Sequence, residues 1–280
     1  MSRCLILGSR GLLGSEMVRS APADVELMPL TSDELDIRNR DDVFKAIEKM
    51  GPDVVINCAA YSGVDDAENE VEKAFLVNAY GARYVAEACS RSGAKIVYFS
   101  TDYVFDGRKA GNPYVEGDNP APLNTYGLSK LTGEFFVRNA SQNHYIVRTA
   151  SLFGRPGTGG RGNNFVLRVL EAARNGDQFA AFTDLVTSPT YTADLADSIW
   201  QLLKERPEYG IYHIANEGWG SWHELACAVV KEAGLAAEIT AIPEGELKRK
   251  ARRPVWSPLT TERKYHLRPW KDALKEFIHS

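Results

Sequence analysis

Tyr126-Gly-Leu-Ser-Lys130 sets a phenol and an amine four residues apart. On a helix that spacing puts both side chains on one face, with Cβ atoms about 5–6 Å apart. A free tyrosine has a pKa near 10, so it exchanges protons poorly at neutral pH until a nearby ammonium stabilises its phenolate. Lys130 is the candidate for that charge. Tyr126 is then the candidate acid for the oxygen that forms when hydride reaches a carbonyl carbon. Of the 12 tyrosines, Tyr126 alone has a lysine four residues later, although such a pair also arises by chance on helices.

A second run, Tyr98-Phe-Ser100-Thr101-Asp102-Tyr103-Val-Phe105, places hydroxyls at the end of an apolar stretch that reads as a strand. In doubly wound sheets the C-terminal edge is where ligands bind. Thr101 is the candidate for polarising a substrate carbonyl, with Asp102 and Tyr103 beside it as substrate-contacting residues. The bland alternative is a hydroxyl that caps a turn.

A third feature is Gly8-Ser9-Arg10-Gly11-Leu12-Leu13-Gly14, directly after the first apolar run and at the start of an amphipathic stretch. Glycines there permit a tight turn, let backbone approach a pyrophosphate and let the helix pack on the strand. The phosphates would meet free N–H groups at the helix N-terminus. A purely structural turn uses the same residues. The fingerprint expects a carboxylate about 20 residues on, but the second strand ends Pro29-Leu30-Thr31-Ser32. With Arg10 available to a 2′-phosphate, the balance tilts toward NADPH. Asp33 or Glu34 swinging in would keep NADH open.

The elements that must position these groups alternate. Short apolar runs at Cys4 to Leu7, Glu26 to Leu30, Asp53 to Cys58, Lys95 to Ser100 and Tyr145 to Thr149 are separated by helical patterns. That rhythm means an α/β protein, a doubly wound parallel sheet of the Rossmann type. Residues 1–150, with returns near 179–205, read as the dinucleotide-binding domain. Residues 151–178 and 206–280 read mainly as a smaller interleaved α/β substrate lobe, with helices near Asn163 to Asn175, Thr192 to Glu205 and Ser221 to Ala233. Pro243 to Pro269 reads as mostly loop before a last helix at Trp270 to Ile278.

Composition sets limits. A chain of 280 residues with 44% apolar side chains can bury a large core. A net charge of −4 gives no field that would gather nucleic acid or an anionic membrane. The basic run Lys248-Arg-Lys-Ala-Arg-Arg253 lacks the interleaved aromatics of a single-strand site. It reads either as a solvated loop or as a diphosphate contact through Arg252 or Arg253. Cys4, Cys58, Cys89 and Cys227 form no C-x-x-C pair, and the five histidines lack metal-ligand spacing, so no metal is expected. No apolar run approaches the roughly 18 residues of a membrane helix. The expectation is a cytoplasmic enzyme without a membrane partner.

Taken together, Gly8/Gly11/Gly14, Asn57-Cys-Ala-Ala60-Tyr61, Val64-Asp-Asp-Ala-Glu68, Asn78-Ala79, Ser100 to Phe105, Tyr126/Lys130, Gly162-Asn-Asn-Phe165 and Arg252-Arg-Pro254 resemble the dTDP-4-dehydrorhamnose reductases. The likeness implies an extended short-chain dehydrogenase that transfers hydride from NADPH or NADH to C4 of a nucleotide-linked 4-keto-6-deoxy sugar. It implies that Ala59, Ala60 and Tyr61 line the cofactor cleft and that Asn163 or Asn164 faces the sugar nucleotide. Asp36, Ile37, Asn78 and Ser100 join the expected cofactor contacts, and pairing into a homodimer is compatible with the family. Two positions depart from its pattern. Ser151 stands where many such reductases have tryptophan, and Leu185 replaces an amide in Asp184-Leu-Val-Thr-Ser-Pro189-Thr190. Relatives that epimerise sugar nucleotides, or act as non-catalytic subunits like the methionine adenosyltransferase β subunit, remain the alternatives. A dehydratase is disfavoured, because Tyr103 stands where such enzymes have a glutamate base.

Overall fold

In the computed structural model, residues 2–109, 111–159 and 164–280 are described. A six-stranded, wholly parallel sheet is built from β1 (Ser2–Leu7), β2 (Val25–Leu30), β3 (Val54–Asn57), β4 (Lys95–Thr101), β5 (His144–Thr149) and the edge strand Gly210–His213. Its order is Gly210–His213, β5, β4, β3, β1, β2. The central strands β3 and β4 are buried along almost their whole length because both faces are covered, whereas the edge strand β2 keeps Glu26 exposed. Ile6 packs with Met17, Leu195 and Trp200 on one face, whereas Leu5 packs with Val43, Ile47, Val85 and Val137 on the other.

The helices start where the sequence supplies caps. Helix α1 (Leu12–Arg19) follows the glycine turn. Asn39 accepts from the Asp42 N–H at the start of α2 (Arg40–Met50), which Gly51 ends in the left-handed region. After the short α3 (Val64–Ala67) and α4 (Val71–Phe75), a π-turn at Leu76–Gly81 leads into α5 (Ala82–Ser92). Asn124 caps α6 (Thr125–Ala140). The smaller lobe holds α7 (Phe165–Asn175), α9 (Trp222–Glu232) and α10 (Trp270–His279), packed around Phe153, Val169, Tyr191, Leu225 and Trp270. Helix α8 (Thr192–Glu205) crosses back onto α1.

The division between lobes is finer than the sequence suggests. Gly210–His213, expected in the substrate lobe, extends the main sheet, because Tyr212 buries its ring against Tyr145 at an otherwise open edge. Conversely, Phe179–Phe182, expected as a return to the large domain, pairs with Ile239–Ile242 inside the small lobe.

Candidate active site

Three groups meet where β4 ends and α6 begins. The Thr101 hydroxyl accepts from the Tyr103 N–H at 3.1 Å and donates to Asp102 Oδ1 at 3.0 Å. Helix α6 is held at its first turn: Asn124 Oδ1 accepts from the Gly127 N–H at 2.8 Å, and Glu68 accepts from the Thr125 N–H at 2.8 Å. Gly127 lets that turn press on the Tyr103 carbonyl, which a Cβ would strike. The same turn brings Tyr126 near enough to Thr101 for its hydroxyl to act on the phenol. Its ring stands edge-on to Tyr103 at 6.1 Å. One turn later Lys130 is buried, with Nζ 4.2 Å from the Tyr98 ring centroid.

Burial dominates the electrostatics of all three ionisable groups. It pushes Tyr126 up to about 12, against the pull of the Thr101 hydroxyl. It brings Lys130 down to about 7, opposed by Glu134 and Cys58. Asp102 rises to about 6 although Ser257, Thr101 and Thr187 all donate toward it. The sequence expectation was a phenol acidified by its lysine. In these surroundings burial and the neighbouring Asp102 raise the phenol and the Thr101 hydroxyl alone pulls it down, so Tyr126 stays protonated at neutral pH.

A cleft of about 530 Å³ lies against the glycine turn, bordered by Thr31 to Asp33, Asp36 to Arg38 and Cys58 to Tyr61. Gly8 has φ +72°, and a Cβ on it would sit 2.7 Å from the Ala59 nitrogen, while a Cβ on Gly14 would strike the Gly8 carbonyl. No side chain caps the N-terminus of α1 at Gly11, so the first-turn N–H groups at Leu12 to Gly14 face outward without a side-chain acceptor, as at helix N-termini that bind anions. This bare cradle beside an elongated cleft fits a dinucleotide. Arg10 reaches Asp33 at 3.4 Å, both largely exposed, and Arg38 clamps Asp36 at 2.6–2.9 Å. Glu34 is turned back onto the Thr31 N–H at 2.8 Å. Cys58 lies at the cleft and close enough to Lys130 to feel its charge, so Lys130 stands near the cleft.

Several expected cofactor residues act through others. Asn78 accepts from the Tyr61 N–H at 2.8 Å and donates to the Tyr61 carbonyl and Ser129 Oγ at 2.9 Å, so it fixes the loop at 59–61. The Ser9 N–H is spent on the Leu30 carbonyl at 3.1 Å. Ser100 donates to Glu134 at 2.5 Å, away from the cleft. Arg38 and Ser32 also border the cleft and are not marked by the sequence reading; the signal for Arg38 is its place two residues after Asp36.

The substrate side is also partly structural. Asp102 points inward, accepting from Ser257 Oγ at 2.5 Å and Thr187 Oγ1 at 3.4 Å. Ser151, at φ +43°, places its hydroxyl 2.8 Å from Thr187 Oγ1, and Leu185 is buried. Asn164 caps α7 and donates to the Gly154 carbonyl at 2.9 Å, so both ends of its amide are engaged. Asn163 lies outside the described residues. Arg253 is forked onto Asp65 at 2.5 and 3.0 Å, whereas the Arg252 side chain is exposed and its carbonyl accepts from Asn124 at 2.7 Å. Among the described residues, no group of three or more His, Cys, Asp or Glu is placed to hold a metal ion, and no helix is long and apolar enough to cross a membrane.

The sequence model of a family described as RmlD substrate binding domain matches residues 2–280. The chain is 40% identical to a dTDP-4-dehydrorhamnose reductase of Aggregatibacter actinomycetemcomitans, over 87% of this chain and 83% of that protein. It is 37% identical to the spore coat polysaccharide biosynthesis protein SpsK of Bacillus subtilis, over 99% and 97%. A crystal structure of dTDP-4-dehydrorhamnose reductase from Bacillus anthracis in complex with NADP superposes with a TM-score of 0.95 at 35% identity, covering 100% of this chain and 99% of that one.

Proposed function

The chain belongs to the dTDP-4-dehydrorhamnose reductase family, and on that premise we propose that Thr101, Tyr126 and Lys130 perform its reaction. The protein is an NAD(P)H-dependent oxidoreductase that reduces the C4 ketone of a nucleotide-linked 4-keto-6-deoxy sugar, a step of dTDP-L-rhamnose biosynthesis. A reduced nicotinamide, when bound, supplies the hydride that C4 receives. Tyr126 gives its phenolic proton to the C4 oxygen, and Lys130 stabilises the phenolate left behind. Thr101 turns its hydroxyl from Asp102 to the same oxygen and so polarises the carbonyl.

The observation that carries this reading is the close approach of Gly127 to the Tyr103 carbonyl, which seats Tyr126 at Thr101 with Lys130 buried one turn on. NADPH is the preferred cofactor. Arg10 and Arg38 both border the cleft, and Glu34 is held away by the Thr31 N–H. The sugar nucleotide lies over Tyr103, with Arg252 or Arg253 toward its diphosphate. Exposed Val71, Leu76 and Tyr80, beside Leu128 and Phe135 on the adjoining α6, give a homodimer an apolar face, which sedimentation reads.

The test is to mix the protein with NADPH and dTDP-4-keto-6-deoxyhexose epimers and follow NADPH oxidation. Tyr126→Phe abolishes turnover while the cofactor still binds; a fully active variant would overturn the assignment.

A further inference from the structure

We infer that the buried ion pair of Glu134 and Arg148 is a positioning device that sets the charge on Lys130. The inference rests on the role given to Lys130 above and goes beyond it.

Tyr126, Lys130 and Glu134 follow one another at intervals of four on α6, so they share one helix face. Glu134 and Arg148 are almost wholly buried. Arg148 Nε and Nη2 donate to Glu134 at 2.9 and 2.7 Å, and Ser100 adds a third donor at 2.5 Å. A buried pair of this kind is weak evidence for stability, because well-packed apolar residues often serve as well. Its position, one turn past a buried lysine, supplies a different use.

The neighbours of Lys130 come from three elements. Its own helix brings Tyr126 and Glu134, β4 brings the Tyr98 ring, and the end of β3 brings Cys58. Burial keeps Tyr98 and Cys58 protonated, so Glu134 is the anion of this set. It also opposes the desolvation of Lys130 more than any other group does. Around Glu134 stand Ser100 of β4 and Arg148 of β5, whose Nη1 lies 3.5 Å from His213 Nε2 on the edge strand. Glu116, Asp118 and Arg138 share with Glu134 and Arg148 the lining of a cavity of about 210 Å³. The field at Lys130 is thus a difference between a near carboxylate and the guanidinium that offsets it.

Two single variants should therefore move the enzyme in opposite directions. Lys130 acts as an ammonium, so turnover falls as pH rises through its pKa. Glu134→Gln removes the supporting charge and leaves Arg148 uncompensated, which moves the alkaline limb of kcat to lower pH. Arg148→Met frees the carboxylate and moves the limb to higher pH. The expected displacements are on the order of one pH unit in each direction, and Glu134→Gln/Arg148→Met falls between them. The measurement is the pH profile of kcat for NADPH oxidation, with cofactor binding by fluorescence to show that each variant is folded. Opposite displacements support the inference; limbs that stay in place, or move the same way, overturn it. If Glu134→Gln does not fold, the direction of the Arg148→Met limb decides alone. Lys130→Met separates the two readings, since full turnover there would defeat the role of Lys130 itself, whatever the limbs do.

Discussion

Gly127 and Tyr103 touch so closely, backbone to backbone, that no methyl group fits between the first turn of α6 and the end of β4. That contact sets the height of the first turn of α6, which carries Tyr126, against the turn that follows Thr101. A Cβ on Gly127 would sit 2.2 Å from the Tyr103 oxygen, so Gly127→Ala must move the helix by roughly 1 Å, and overpacking of this kind costs about 1–3 kcal/mol of stability. Misplacement of a catalytic group by about 1 Å costs on the order of 10²-fold in rate. The expected result is a folded variant with kcat reduced about 10²-fold and cofactor affinity unchanged, since the glycine turn at Gly8 lies elsewhere. Wild-type kcat in Gly127→Ala would show that Tyr126 needs no such registration.

Arg10 sits on the cleft rim, and among the described residues its guanidinium makes one ion pair, an exposed and long one to Asp33. It is free to leave that partner for a 2′-phosphate. A hydrogen bond to a charged group contributes about 1.5–3 kcal/mol, and exposure reduces it, so Arg10→Ala should weaken NADPH binding roughly tenfold. NADH binding should hardly change, because that cofactor has no phosphate there. Fluorescence titration with both cofactors reads the difference. Equal losses for the two would assign Arg10 to the pyrophosphate or to the fold.

The strand–helix rhythm was legible because parallel strands bury both faces: Leu5 and Ile6 enter opposite cores, so no alternation hides the run. Gly210–His213 was not, being four residues long with Gly210 at its start and a buried polar residue, His213, at its end. Among candidate site residues, Tyr126, Lys130 and Thr101 were picked out by spacing and placement, and the fold brings Thr101 at the end of β4 next to the first turns of α6, where Lys130 is buried. Ser100, Asn78 and Asn164 show the limit. Residue type reveals a polar group but not where it points, and their side chains are spent on Glu134, Tyr61 and Gly154. The missed clue was Arg148, a charge inside an apolar strand, which a chain can bury only with a partner such as Glu134.

His213 offers a pH test of the same interior. Its Nδ1 lies 3.1 Å from the Tyr114 carbonyl and 3.0 Å from that of Thr260. Burial drives its pKa down to about 4. The unfolded chain binds this proton near pH 6.5. A depressed folded pKa means that the contribution to stability is complete above about pH 6.5 and is lost as pH falls toward 4. Urea unfolding at pH 7 and pH 5 should differ by about 1–2 kcal/mol from this group. His213→Gln should flatten that difference; an unaltered slope would place the acid sensitivity on carboxylates such as Glu116.

Arg253 and Asp65 separate two ways of holding a diphosphate. The Arg253 guanidinium holds the Asp65 carboxyl down to about 2, so the pair is charged across the neutral range. Arg253 Nη1 also donates to the Ala251 carbonyl at 2.7 Å, and the Ala251 N–H donates to Asp65 at 3.1 Å. The guanidinium has five donors, and three are committed to Asp65 and Ala251. Two remain for a ligand. If Arg253 works by pinning the loop at 249–253 to α3, Asp65→Ala should reproduce the effect of Arg253→Ala: a KM for the sugar nucleotide raised roughly tenfold, with kcat little changed. If the free donors also meet the diphosphate, Arg253→Ala should exceed Asp65→Ala. Arg252→Ala, whose side chain is exposed, should raise KM without any loss of stability in thermal unfolding. An unchanged KM in both arginine variants would remove the basic loop from substrate binding, because no other consequence of losing a cation beside a diphosphate could hide there.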